Sequence, residues 1–459
     1  MGFPSTDTYK IRGEFMQAAA DLFENTLTKP PTPNILELWK EHQHIRKELM
    51  EISAKQSLLA DTDVRLSKTR TQEDLMCFLN WADKIGIKRF GVTVAECREV
   101  NGLGLLAEEK ISEKDCCLMI PRNAMISTDL ARKSSVTKNL FEQDSIVRNM
   151  ANVGLALFLC AQWIKADSKW SPYLKVLPNV YTTPLFYTEE ELQNRKAVSQ
   201  TPLMYNSPFT VDNFTFSLYR WSVGTVTTRI NLIPSEAKRA DGAIDMIPAL
   251  IPMLDMANHE TVLGNEDLGE TVSYSTEMDC AEVLATRDLQ EGEWVGMFYG
   301  RRSSAEHLLH NGFVPAGDNP FDSYKLKINL SRSDKMFKDK QKFFMKMGFN
   351  ENSNVYIHRI GLGPHPFHQS LEHFARIYVA DDLETASESD TLVKAVNFLK
   401  NRFAILERSY GVIAVGKSLN EKNMERLKNV EVAILKNARI FCENWEKALL
   451  EATETNISS

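Results

Sequence analysis

The stretch Ile251-Pro-Met-Leu-Asp-Met-Ala-Asn-His259 places a carboxylate, an amide and an imidazole directly after an apolar run. A second stretch, Met297-Phe-Tyr-Gly300, follows downstream. Between them, Val272 to Thr276 and Ala281 to Thr286 have strand composition, and Gln290-Glu-Gly-Glu293 is a turn that returns the chain into Trp294 to Phe298. Together these stretches predict a site built on a small antiparallel β-unit.

Working outward, the 459 residues are enough for more than one domain and a sizeable core. A hydrophobic content of 43% with 25% charged residues fits a folded globular chain rather than a disordered one. The formal net charge of −7 supplies no overall attraction to phosphate backbones, so a nucleic-acid partner is not expected. Seven cysteines occur without a C-x-x-C pair, which predicts reduced thiols and lacks the ligand spacing of a Cys₄ zinc cluster; no metal is expected. The first residues, Met-Gly-Phe-Pro-Ser-Thr6, contain no apolar run, so a secretory leader is not expected either. The longest apolar run, Val153 to Ala161, is about half of a membrane span. A cytoplasmic protein without a membrane partner, acting as a monomer, is the expectation.

Residues 1–90 read as helical. Leu38, Ile45, Leu49 and Ile52 make a stripe interrupted by charges, as on a helix lying against a larger body. Thr71-Gln-Glu-Asp74 is a capping box opening a helix with Leu75, Phe78, Leu79 and Ala82 on one face and a stop at Gly86. From about Phe90 the period shortens: Gly91 to Ala95, Gly102 to Ala107 and Cys116 to Ile120 predict strands, with a turn at Asn101-Gly-Leu-Gly104. The paired glycines fit either a tight hairpin turn or a place where backbone approaches a ligand. Met150, Val153, Leu157, Cys160 and Ile164 return to helical spacing, which predicts a helical insertion at about 130–250. Pro315-Ala-Gly-Asp-Asn-Pro320 is a dense run of breakers and the expected domain boundary. Beyond it, Phe367, Leu371, Phe374 and Tyr378, then Val393, Val396, Leu399 and Phe403, then Leu427, Ile434, Ala438, Phe441 and Trp445 read as an antiparallel helical bundle over 320–459.

No nucleophile elbow, P-loop or H-E-x-x-H helix is present. The pair D-M-x-N-H and F-Y-G instead resembles the core of SET-domain protein methyltransferases, which take a methyl group from S-adenosylmethionine. The resemblance runs from about Arg70 to Phe313 in motif detail and continues, by length and helicity, into a C-terminal bundle like that of the Rubisco large-subunit methyltransferase group. Within that group, Arg229-Ile-Asn231-Leu-Ile-Pro234 resembles the actin-histidine-directed enzymes, where lysine-directed relatives carry an aromatic at the position of Asn231. The fold class so implied is α+β: a SET-type β core over 91–314 with its helical insertion, preceded by the helical segment 1–90 and followed by an all-α substrate-binding domain.

By that resemblance the methyl donor would touch Arg70, the turn of Asn101, Gly102 and Leu103, then Arg229, the segment Asp255, Met256, Ala257, Asn258 and His259, and Asn311, Gly312 and Phe313. Tyr299 would sit beside the transferring methyl, Asn231 would face the acceptor ring, and Leu254 and Arg302 would contact the actin substrate. Each residue also has a plainer reading: Tyr299 as a packed aromatic, His259 as a satisfied structural histidine, Asn258 as a turn cap, Arg301 and Arg302 as a solvated face. Leu254 stands where the actin-directed enzymes have tryptophan, Asn101 and Leu103 replace an acid and an aromatic, and Asn311 replaces a serine. A lysine acceptor, or a peptide-binding module without turnover, are the competing expectations.

Overall fold

Thr71 begins the helix most clearly marked in the sequence. Its hydroxyl accepts from the Asp74 backbone N–H at 3.2 Å, while the Asp74 carboxylate accepts from the Thr71 N–H at 3.0 Å. Such a reciprocal cap contributes about 1 kcal/mol. Helix Gln72–Ile85 then buries Leu75, Phe78 and Ala82 and stops at Gly86.

The computed structural model describes residues 6–30, 32, 34–58, 65–100, 102–187, 209–210, 213–261, 272–350, 353–387 and 389–457. The chain forms two compact units, the first of residues 1–299 with 310–312, the second of 300–309 with 313–459.

In the first unit the strands are β1 (Lys88–Arg89), β2 (Val92–Cys97), β3 (Gly102–Ala107), β4 (Cys116–Pro121), β5 (Ile126–Ser127), β6 (Ile230–Lys238), β7 (Ile244–Leu250), β8 (Asn258–His259), β9 (Val272–Ser275), β10 (Cys280–Leu284) and β11 (Trp294–Met297). They form sheets of order β1-β4-β10-β9, β2-β3-β11-β8 and β5-β7-β6. The expectation of one antiparallel unit around the two motif stretches is corrected by this topology. β8 pairs with β11 in parallel, Asn258 beside Gly296 and His259 beside Met297, while β9 and β10 form a hairpin in a different sheet. A parallel pair needs a long crossover, and the β9–β10 hairpin lies within that connection.

Among the described residues the expected insertion is helical in Thr128–Lys133, Lys138–Gln143, Ser145–Asn149, Ala151–Ile164, Ser171–Val176 and Phe216–Arg229. Its last part is not: residues 230–238 and 244–250 pair as the antiparallel hairpin β6–β7, from Ile230 opposite Leu250 onward. Prolines 234 and 248 exclude an uninterrupted helix there, and the exposed Leu232 and Met246 leave it without one consistent apolar face. Helix Ala151–Ile164 is buried on nearly every face from Gly154 to Gln162, and it shares a core with Phe78, Leu105, Leu118, Ile120 and Tyr173. Truncating a fully buried side chain such as Phe78 to alanine costs about 3–5 kcal/mol. Helices Thr6–Leu22 and Ile35–Ser57 make a smaller cluster of Phe15, Leu22 and Ile52 with Ile45 and Leu49 against it.

The second unit contains the expected helices, Gln369–Val379, Ser389–Ser409 and Leu419–Ile457, packed through Phe374, Leu399, Phe403 and Ile434. It also contains a sheet that an all-α reading omits. β12 (Ser323–Asn329) and β13 (Val355–Gly361) pair antiparallel from Ser323 opposite Gly361 to Asn329 opposite Val355. Leu326 and Ile328 on one strand and Tyr356, His358 and Ile360 on the other are buried, the period-two pattern of a half-covered sheet.

Candidate active site

The Asp255 to His259 segment is delivered by a backbone reversal at Met253, with φ 72° and ψ −47°. A non-glycine residue pays conformational energy of about 1–3 kcal/mol there, and the full burial of the Met253 side chain holds it in place. The following turn, Leu254–Met256, sends the Asp255 side chain into the core. Its Oδ2 accepts from the Tyr173 hydroxyl at 2.6 Å and from Arg229 Nη1 at 3.3 Å. Arg229 Nη1 also donates to the Asp255 main-chain carbonyl at 2.6 Å.

Arg229 is the last residue of its helix and Asn231 lies two residues on, in β6. Because Ile230 pairs with Leu250, the β6–β7 hairpin returns the chain from Arg229 to Asp255 and closes a separation of 26 residues. Burial opposes the charge on Arg229, but Asp255 and the neighbouring Tyr181, Tyr173 and Tyr299 overcome it and hold the guanidinium protonated. Burial also pushes the Asp255 carboxyl above the usual carboxylate range, against the attraction of Arg229 and the Tyr173 hydrogen bond. Arg70, half-buried and donating to the Val176 carbonyl at 3.3 Å, is lowered first by burial and further by the Arg229 charge, with Glu96 opposing. Two guanidinium groups therefore share one region with a single fully buried carboxylate.

Tyr299 follows β11. Its hydroxyl donates to the Ala257 carbonyl at 2.9 Å, and its N–H donates to His259 Nδ1 at 3.4 Å. His259 Nδ1 is thereby the acceptor nitrogen, and Nε2 lies 3.2 Å from Thr261 Oγ1. The Asn258 amide donates to the Leu103 carbonyl at 3.0 Å, which joins this segment to β3; the turn expected over Asn101–Gly104 is strand from Gly102 onward. Gly104 is required beside it, because a Cβ would stand 2.8 Å from the Trp294 ring and 3.2 Å from Asn258 Nδ2.

No family model matches the chain. It is 29% identical over 482 residues to the actin-histidine N-methyltransferase of Callithrix jacchus, covering 95% of this chain and 76% of that protein. The human protein of the same name is 28% identical with the same coverage, and that of Danio rerio is 29% identical over 483 residues. Among solved structures, the SET domain of LSMT bound to lysine and AdoHcy superposes with a TM-score of 0.62 at 19% identity, covering 83% of this chain and 93% of that one. Rubisco LSMT bound to AdoMet gives 0.58 at 20%, covering 82% and 93%. This chain has the SET-domain fold.

Within the SET fold, the structure brings together Arg70, Arg229, Asp255, Ala257, His259 and Tyr299 through the contacts above, and ties Leu103 to Asn258. Asn231 is half-exposed, and its side-chain amide has no hydrogen-bond partner among the described residues. Gly102 is half-buried at the start of β3, Met256 is buried, and Asn101 lies outside the described residues. Leu254 is fully buried in the core of the first unit. Asn311 and Gly312 belong to that unit as well. Gly312, at φ 84°, packs so tightly on Thr182 and Thr183 that a Cβ would lie 2.7 Å from Thr182 Oγ1. Arg302 and Phe313 belong to the second unit, where the Arg302 carbonyl accepts from Asn319 at 2.9 Å and the Phe313 ring lies 5.1 Å from that of His307. The sequence reading missed Tyr173, Tyr181 and Glu96, which act on the Arg229–Asp255 pair or on Arg70. The only sequence sign at Tyr173 is the preceding Pro172, which opens the short helix Ser171–Val176.

Proposed function

We propose that this chain is a protein-histidine N-methyltransferase that transfers a methyl group from S-adenosylmethionine to a histidine of actin, in the cytoplasm and as a monomer. The observation that carries the reading is the convergence of three separate motifs: Arg229 on Asp255, the Tyr299 hydroxyl on Ala257, and Asn231 two residues from Arg229 with its amide unengaged. Curated relatives across 95% of the chain bear the same activity in their names.

The residues present fit the cofactor. Among the described residues, Arg229 Nε and Asp255 Oδ1 are both buried without a hydrogen-bond partner, and Arg70 has a carbonyl but no short carboxylate contact. An anionic and amine-bearing ligand would satisfy such a set. S-Adenosylmethionine supplies, when bound, an electrophilic methyl on a sulfonium. Arg70 and Arg229 would hold its charged end, and Asn258, with the backbone at Gly102 and Leu103, the rest.

The chain's own work is then orientation and exclusion of water. Donation of the Tyr299 proton to Ala257 turns the lone pairs of the phenol oxygen away from that carbonyl, toward whatever polarised group lies beside it. An imidazole with a pKa near 6.5 is mostly neutral at pH 7, so no general base is needed to make it nucleophilic. Its tautomer must be fixed instead. The Asn231 amide oxygen can accept from the protonated ring nitrogen, leaving the lone pair of the other nitrogen to form the new N–C bond as the S–C bond breaks. The ring proton leaves the methylated imidazolium afterwards. A lysine would first have to lose a proton, costing about 4.6 kcal/mol at pH 7, and a polar Asn231 is poorly suited to that. Arg302 and the helices of the second unit are assigned to substrate contacts.

The test is mass spectrometry of unmethylated actin incubated with the protein and labelled S-adenosylmethionine. One methyl on a histidine is the expected outcome; methyl on lysine alone, or none despite bound cofactor, overturns the acceptor assignment. Asn231→Ala should abolish most transfer while leaving cofactor binding within about threefold, because its role is to fix a tautomer rather than to hold the donor.

A further inference from the structure

A cavity of about 430 Å³ is lined by helices Thr128–Lys133 and Ala151–Ile164 and by residues 165–170, and no residue of the candidate active site lines it. Its apolar wall is Leu130 and Val136, both half-buried, backed by Phe158 and Trp170, which pack edge to face with centroids 6.1 Å apart and are only 1% and 4% exposed. Its charged residues are Lys133, Lys165, Lys169 and Asp167.

The ion pairs leave a positive remainder. Lys133 is paired with Glu236, and Lys165 with Asp167 at 3.6 Å. Lys169 has no carboxylate partner among the described residues. Its ammonium donates to the Asn123 carbonyl at 3.0 Å and sits 4.2 Å from the Trp170 ring centroid, where burial lowers its pKa.

Gln162 is the second, independent observation. It is only 6% exposed, and its amide orientation is fixed by a short relay. Ser168 Oγ accepts from the Trp170 N–H at 3.3 Å, so the hydroxyl proton goes to Gln162 Oε1 at 2.9 Å. The Nε2 donors are then left without a partner among the described residues, in a side chain that lines the cavity. A buried amide with unused donors beside an unneutralised ammonium and the half-buried Leu130 and Val136 is a receptor for an oxyanion on an apolar body.

We propose that this cavity binds a small organic anion, an aromatic or short aliphatic body bearing one phosphate or carboxylate, whose oxygens accept from Gln162 Nε2 and Lys169 Nζ while the body rests on Leu130 and Val136. The site is independent of the methyl-transfer reading.

The probes are phenyl phosphate, benzoate, benzyl alcohol and inorganic phosphate, titrated into the full chain by calorimetry and ligand-observed NMR. Saturable one-to-one binding of phenyl phosphate or benzoate is expected, with benzyl alcohol and inorganic phosphate each weaker by about tenfold or more. Whichever of the first two binds tighter identifies the anion as phosphate or carboxylate. Lys169→Met, at an exposed position, and Gln162→Leu should each weaken binding about tenfold or more. If Gln162→Leu fails to fold, Lys169→Met carries the test alone. Absence of saturable binding, binding of benzyl alcohol as tight as that of the anions, or an unchanged affinity in Lys169→Met would each overturn the proposal.

Discussion

Replacing Asp255 by asparagine keeps the shape of the side chain and removes its charge. The partner left behind is Arg229, held charged in a buried site by Asp255 above all its neighbours. Breaking a buried pair by removing one member costs about 3–5 kcal/mol. Two features place this case at the lower end. Arg229 keeps its 2.6 Å hydrogen bond to the carbonyl of residue 255 whatever the side chain, and an asparagine oxygen can still accept from Tyr173. The remaining loss is the charge term, about 3 kcal/mol, which for a unit of this size lowers the melting temperature by roughly 4–6 °C. Tyr173→Phe removes one bond to a charged acceptor and should cost about 1.5–3 kcal/mol. Thermal unfolding by calorimetry, read on the transition of the first unit, gives both values. A melting temperature for Asp255→Asn within about 2 °C of the parent would refute the argument, because it would mean that Arg229 does not depend on that carboxylate.

Three other outcomes follow from the same geometry. Tyr299→Phe removes the hydroxyl that donates to Ala257 and should lower the single-turnover methylation rate by about 100-fold, with cofactor affinity changed far less. Gly104→Ala drives a Cβ into the Trp294 ring and against Asn258, and should weaken S-adenosylmethionine binding about tenfold in equilibrium titration. His358, buried and with Nε2 unpartnered among the described residues, is lowered by burial from 6.5 to about 4. The folded state keeps it neutral while the unfolded chain takes up a proton below about 6.5, so its stabilising contribution is complete above that pH. That contribution, about 3 kcal/mol, is lost as pH falls from 6.5 to 4, and denaturant unfolding of His358→Phe across that range should be flatter than that of the parent by about this amount.

The sequence made visible what depends on neighbours in the chain. The Thr71–Asp74 capping box, strands β2, β3, β4 and β11, and the helix from Ala151 lie where local pattern placed them. Strand direction was not visible, since the parallel pairing of β8 with β11 depends on a crossover rather than on either strand's composition. The β12–β13 sheet has a period-two alternation that is legible in Ser323–Asn329 but inverted in Val355–Gly361, where Val355 and Ile357 are exposed and His358 is buried. At the site, the motifs pointed to Arg229, Asp255 and Tyr299. They could not point to Tyr173 or Tyr181, whose part in the arrangement is a hydrogen bond or a charge interaction across the fold, with no fixed spacing to betray it.

The unit boundary at Tyr299 and the return of His310–Gly312 to the first unit bear on how this protein is made. A domain encoded by one uninterrupted segment can fold on the ribosome as soon as that segment has emerged, at synthesis rates of about 5–20 residues per second. Here the piece that fits against Thr182 and Thr183 is translated only after a stretch belonging to the other unit. The contact of Gly312 with Thr182 and Thr183 can therefore form only once residue 312 has left the tunnel, and a stop codon introduced between 299 and 312 would release a chain that lacks it.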